Sequence, residues 1–213
     1  MTDYEILETY LLKIGILYKK CIEIGGNSFT NILIFKYNFH ALFFDLSEKN
    51  VQIALEYYTS YNKLDLVTFV NGLITLDNIS NIIKSLIKYY NSHIDILVIN
   101  IKNNGYWILQ ELIKYIYPRI IIVEYQHIIP PELALVAPYE PNINHNDEYD
   151  GFYGASIKAY KILLRDYICV YYNNSKAYFI KKEENMQKIK IEYNKNLYIE
   201  YNKIKDLPWI EIK

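Results

Sequence analysis

The sequence predicts an α/β fold: a doubly wound, mostly parallel sheet of seven strands whose last strand runs antiparallel. Three observations predict it. Five short runs are apolar throughout rather than alternating, the pattern of strands buried on both faces of a parallel sheet. Segments with apolar residues at helical spacing lie between them, the rhythm of βα units. Two further β-like runs, YICVYY and AYFIKK, are joined by Asn173-Asn174-Ser175, a hairpin signal that reverses the chain.

Taken in order, residues 3–19 place Ile6, Leu7, Tyr10, Leu11, Ile14 and Leu17 at helical spacing. CIEI (21–24) is the first strand and GGN (25–27) a glycine turn, with helical spacing resuming over 28–37. HALFFDL (40–46) is the second strand, and Ser47 caps a helix over 47–61. LVTFVNG (66–72) is the third, and Asp77 is placed to cap a helix reaching Tyr90. Strand 94–99, helix 105–116 and strand 119–124 complete the parallel series. Residues 126–152 read as a long irregular loop with Pro130, Pro131, Pro138 and Pro141, of a length that usually marks a binding element. A helix over 153–165 precedes the hairpin. The chain thus divides into an N-terminal helix (1–19), a main unit (20–182) and a C-terminal β appendage (183–213). Within the last, IEYNK occurs at 191–195 and 199–203, suggesting a hairpin or edge strand. It either packs on the main unit or offers a surface for a partner or a second copy.

Composition excludes several classes. With 23 basic and 24 acidic residues among 213, the net charge of −1 gives no electrostatic footprint for nucleic acid. No apolar run approaches the ~20 residues that span a bilayer. The acidic start, Met1-Thr2-Asp3-Tyr4-Glu5, lacks the basic region of a signal peptide, so a cytoplasmic protein is expected. Cys21 and Cys169 fall inside strands without CxxC spacing and read as buried free thiols. The 24 tyrosines and the scarcity of glycine (7) and proline (6) reflect a coding bias rather than a site. The phosphate-binding GxGxxG and GxxxxGK[ST] motifs, the GxSxG elbow and zinc-spaced Cys/His clusters are all missing from the sequence.

Four segments carry a resemblance. CIEIGGN is an acid followed by a glycine turn after strand one. FFDLSEKNVQIA ends strand two in an acid. DILVINIKNNGYWILQEL spans strand four and the next helix. PRIIIVEYQ, VAPYEP and FYGASIKA follow in that order. Over residues 20–181 the chain resembles the FkbM-like branch of the S-adenosylmethionine (SAM)-dependent methyltransferases. That resemblance implies a Rossmann-like methyltransferase domain, SAM as cofactor and a small-molecule or sugar hydroxyl as acceptor. The departures fall after strand four, where the family's two acids appear as Asn100 and Lys102, its glycine as Asn103 and the following acid as Gly105.

On this pattern the cofactor-binding candidates are Glu23, Gly25, Gly26, Asn27, Asp45, Asn71 and Asn100. Gly25 and Gly26 let backbone approach the methionine end closely. Glu23 orders that loop or holds the cofactor's ammonium through water. Asp45 accepts the ribose hydroxyls or is a solvated acid, and Asn71 meets the adenine edge or simply turns the chain. Catalytic candidates are Glu124, His127 and Asn100. Glu124 is a base, a substrate clamp or a loop cap, and His127 is a proton acceptor or an ordinary loop histidine. Asn100 hydrogen-bonds but cannot act as a base, and Lys102 repels a divalent ion, so no metal site is expected. Tyr139, Tyr153 and Ser156 are candidates for the acceptor pocket. His145, Asp147, Glu148 and Asp150 read as a solvated acidic loop. Two functions stand open: an O-methyltransferase, or a methyltransferase-fold protein without catalysis that serves as a binding or structural subunit.

Overall fold

Continuous apolar runs become strands here; both faces are covered over 21–24, 94–99 and 118–123, whereas the edge strand over 67–71 leaves Thr68 and Val70 exposed. A computed structural model describes residues 2–26, 29–45, 47–90, 92–141, 153–184, 192–193 and 198–213. Its strands are β1 (Lys20–Ile24), β2 (His40–Asp45), β3 (Val67–Asn71), β4 (His93–Ile99), β5 (Tyr117–Glu124), β6 (Leu135–Val136), β7 (Tyr167–Tyr172), β8 (Lys176–Lys181), β9 (Glu192–Tyr193) and β10 (Ile210–Glu211). The main sheet has the order β3-β2-β1-β4-β5-β8-β7, with the two-residue β9 added beyond β7. The first five strands are mutually parallel. β8 is antiparallel to both β5 and β7, as the hairpin signal predicts.

The pleat sorts side chains between two helical layers. Cys21, Ala41, Phe43, Ile120 and Ile122 face α1 (Asp3–Ile14), α2 (Asn31–Tyr37) and α3 (Glu48–Ser60). Ile22, Ile24, Leu42, Phe44, Ile121 and Val123 face α4 (Ile79–Tyr90), α5 (Gly105–Leu112) and α6 (Ile157–Leu163). Both cysteines are free and buried. No helix among the described residues is long and apolar enough to cross a membrane.

Several boundaries differ from the sequence reading, some for local and some for non-local reasons. The first helix stops at Ile14, not 19, because Gly15 turns out at φ +79°. The amides of Leu17, Tyr18 and Lys19 then donate to the buried Asp95 carboxylate at 3.2, 2.8 and 2.7 Å. Asp95 in turn meets Arg119 at 2.8 Å, and the same guanidinium forks onto Glu184. Ahead of α4 it is Asn78 and Thr75, not Asp77, that brace the turn through reciprocal side-chain bonds. Helix 153–165 shrinks to α6, since Ser156 caps it and Ala155 bridges Val136. The long loop contains β6 because β10, from the tail, pairs with it antiparallel. The first IEYNK copy supplies β9, whereas the second forms a 3-10 turn (Tyr198–Lys203) rather than a strand.

Candidate active site

The carboxyl ends of β1, β2 and β4 are stitched together at one point. Gly25 N–H donates to Phe44 O at 2.9 Å, and Asn100 N–H to Ile24 O at 2.8 Å. Gly25 has φ +84°, and a Cβ there would lie 2.4 Å from the Asn100 carbonyl oxygen. A Cβ on Gly26 would lie 2.8 Å from a Glu23 carboxylate oxygen. Only glycine fits at these two positions without displacing backbone or an anchored acid. Gly25→Ala is therefore expected to cost about 2 kcal/mol or more, from the left-handed backbone plus the clash. An unchanged midpoint in thermal denaturation would refute the cradle.

Glu23 is 1% exposed and fully engaged. Its carboxylate accepts from Phe29 N–H at 3.2 Å, Thr30 N–H at 3.0 Å and Thr30 Oγ1 at 3.0 Å. Of the two roles the sequence offers, ordering the loop is the one its contacts support. Asn100 is half-buried and donates from Nδ2 to Gly25 O at 3.4 Å. Asp45 and Asn71 end adjacent strands in register with each other, one strand removed from Gly25. Asn27 and the acidic run 145–150 lie outside the described residues.

Beside this junction is a hollow of about 320 Å³, lined in part by Asp3, Glu23, Phe29, Asn100 and Lys176. That is near the lower end of small-molecule sites. Lys176 reaches to 3.4 Å from Asp3 and lies 5.3 Å from the Phe29 ring centroid. It also stands in register with Glu124, the last residue of β5. Burial pushes the Glu124 carboxyl above its ordinary value, while Lys102 and then Lys176 pull it back. Lys102 Nζ sits 5.9 Å from the Tyr153 ring centroid. Burial, and then the Glu124 charge, push the Tyr153 phenol up, against a hydrogen bond with Gln126. Gly154, at φ +64°, locks this corner: a Cβ there would lie 2.7 Å from Lys102 O. His127 is half-buried in the turn after β5. A larger hollow of about 550 Å³ between β2, β3 and α4 is lined by Leu42, Phe44, Val70 and Leu86 among others and holds no titratable group.

Two acceptor-pocket candidates have structural partners. Ser156 is fully buried and its Oγ accepts from Leu135 N–H and Ala159 N–H, so it anchors β6 and caps α6. The Tyr139 hydroxyl accepts from Leu76 N–H at 2.9 Å and braces the loop before α4. Tyr153 remains beside Glu124. Lys176 and Asp3 are the residues that sequence reasoning missed. Neither has a local signal, since strand pairing and helix docking bring them in from opposite ends of the chain. Among the described residues, no three His, Cys, Asp or Glu side chains gather as a metal site would require.

No family model matches the chain, and no curated protein matches it. Solved structures do. A Galdieria sulphuraria protein provisionally assigned as a sarcosine dimethylglycine methyltransferase superposes with a TM-score of 0.51 at 14% identity, over 78% of this chain and 60% of its own. The glycopeptide N-methyltransferase MtfA gives 0.49 at 10% identity, over 84% of this chain and 89% of its own. MtfA has also been solved with S-adenosyl-L-homocysteine (SAH) bound. At such identities the first likeness speaks to architecture alone. The fold is that of the class I SAM-dependent methyltransferases.

Proposed function

We propose that the chain binds SAM across the carboxyl ends of β1, β2 and β4 and transfers its methyl group to a hydroxyl of a small molecule or sugar, as an FkbM-like methyltransferase. The observation that carries this reading is the Gly25–Asn100 cradle, where backbone closes to a distance that no side chain allows. Such bare backbone at a parallel sheet's switch point is where a nucleotide-like ligand meets this fold class. The residues fit the group. Gly25 and Gly26 let the ends of β1 and β4 and the Glu23 carboxylate close together beneath the methionine end, with Asn100 as its polar neighbour. Asp45 is assigned the ribose hydroxyls and Asn71 the adenine edge.

Bound there, SAM supplies a methyl group already activated on a sulfonium. The protein's contribution is then alignment of the acceptor and removal of its proton. Glu124 is assigned the proton, since burial keeps its carboxylate more basic than an exposed one. Residues 20–182 form the transfer unit, 1–19 its N-terminal helix and 183–213 an appendage open to a partner, in a cytoplasmic protein. One observation favours the second reading, a binding subunit without catalysis. Asn100 and Lys102 occupy the turn where the resembled family has acids, and neither accepts a proton.

Calorimetry with SAM and with SAH tests the proposal. Both are expected to bind, and Asp45→Ala is expected to weaken both at least about tenfold through loss of charge-assisted bonds to the ribose. A folded chain that binds neither ligand ends the enzyme reading. An unaltered affinity in Asp45→Ala removes the ribose assignment alone.

A further inference from the structure

We propose that Lys102 is a catalytic residue: its ammonium holds the acceptor oxygen while Glu124 takes the acceptor's proton. The inference rests on the methyltransferase reading and deepens it, because it says how a turn without acids can still serve the chemistry.

The geometry starts from which cations are committed. Four described titratable groups act on or feel Glu124: Lys102 from the turn after β4, Lys176 from β8, Tyr153 from the segment before α6, and Tyr160 from α6. Lys176 is tied, with its ammonium at 3.4 Å from Asp3 and against the Phe29 ring. Lys102 is exposed and, among the described residues, enters no ion pair. Gly154 packs so closely over its carbonyl that a Cβ there would lie 2.7 Å from Lys102 O, and the Lys102 ammonium lies 5.9 Å from the Tyr153 ring centroid. The result is a cation outside every ion pair among the described residues and a carboxylate, both beside Tyr153 and one strand end from Asn100.

An ammonium beside an oxygen that is losing a proton does electrostatically what a Lewis-acidic cation can do in other transferases. In the step, the acceptor O–H bond breaks and its proton goes to the Glu124 carboxylate. The oxygen forms its bond to the methyl carbon as the carbon–sulfur bond breaks. The sulfur leaves as the neutral thioether of SAH, and Lys102 stays protonated throughout. Negative charge exists on the oxygen only in passing, which is when the ammonium counts. The same charge explains why the turn tolerates the loss of its acids.

The test needs no knowledge of the acceptor. The full chain is saturated with SAH, and 4-nitrophenol is added as a chromogenic hydroxyl whose absorbance reports its own ionisation. In the unaltered chain the bound phenol is expected to ionise about one pH unit lower than in water, a roughly tenfold preference for the oxyanion. Lys102→Met is expected to abolish that shift with SAH affinity changed less than about twofold, and Lys102→Arg to restore it. A shift that is absent in the unaltered chain, or that survives in Lys102→Met, overturns the role of Lys102. Failure of the unaltered chain to bind SAH instead overturns the reading on which the proposal rests.

Discussion

Replacing Glu124 with glutamine is expected to make the protein more heat-stable and to remove the methyl transfer proposed for it. The two effects have one cause. Burial raises the carboxyl of Glu124 in the folded chain above its value in the unfolded chain, with Lys102 and Lys176 only partly compensating. The folded state therefore prefers the neutral form. The stabilising contribution of that form is complete below the unfolded value, and it is lost as pH rises through the folded one. Above that window the native protein carries a buried carboxylate against its preference, and glutamine relieves it. Thermal denaturation at about pH 8 should show Glu124→Gln melting higher than the parent, whereas at about pH 4, where the folded carboxyl is mostly neutral, the difference should shrink. Transfer should fall by about 100- to 10,000-fold, the usual worth of a positioned base. In the unaltered chain, the rate of the proposed transfer should climb with pH through a midpoint above that of an exposed glutamate. A variant that is less stable at high pH than at low pH, relative to the parent, would contradict the burial argument. A variant with full activity would remove Glu124 from the mechanism.

That Glu124 ends a strand was legible in the sequence, and the burial that raises its carboxyl was not. A strand's final residue can be placed from the run RIIIVE because continuous apolar character requires two covered faces. The other four parallel strands follow from the same reasoning, and the reversal from the Asn173-Asn174-Ser175 turn. What escapes it is anything set by partners distant in sequence. Ser156 follows a Tyr-Gly-Ala run that looks like a pocket wall, yet its hydroxyl is claimed by Leu135, 21 residues away. Tyr139 sits in a proline-rich loop and is claimed by Leu76. Glu23 reads equally as a ligand or a brace until the two amides and hydroxyl that surround it are seen. Lys176 has no signal at all, because only the β5–β8 register places it opposite Glu124. Side chains at strand ends declare a position, but their chemistry is assigned by whichever loop comes back to cover them.

Arg119→Met is expected to give the largest loss of stability of any single change away from the site. Arg119 is 7% exposed and Asp95 fully buried, and the guanidinium also bonds Glu184 and the carbonyls of Gly15 and Ile14. Methionine fills much of the volume but leaves Asp95 without its counter-charge. Stranding one member of a buried pair costs about 3–5 kcal/mol, against a total margin of roughly 5–15 kcal/mol. A drop of roughly 10 °C in the melting midpoint follows. The charge, rather than the packing, is the cause, and a second change tests that. In the double variant Arg119→Met/Asp95→Asn, the amide that replaces the carboxylate is neutral. It can still accept from the amides of Leu17, Tyr18 or Lys19. The double variant should therefore be more stable than Arg119→Met alone, and strictly additive losses would refute the coupling. The cluster grips the carboxyl end of α1, whereas the amino end is held separately, by Asn173 Nδ2 at 3.0 Å and the Tyr178 hydroxyl at 3.2 Å from Asp3. SAH affinity measured well below the melting point should thus be unchanged in Arg119→Met. A marked loss of affinity there would show that both ends of α1 must be fixed for the hollow to form.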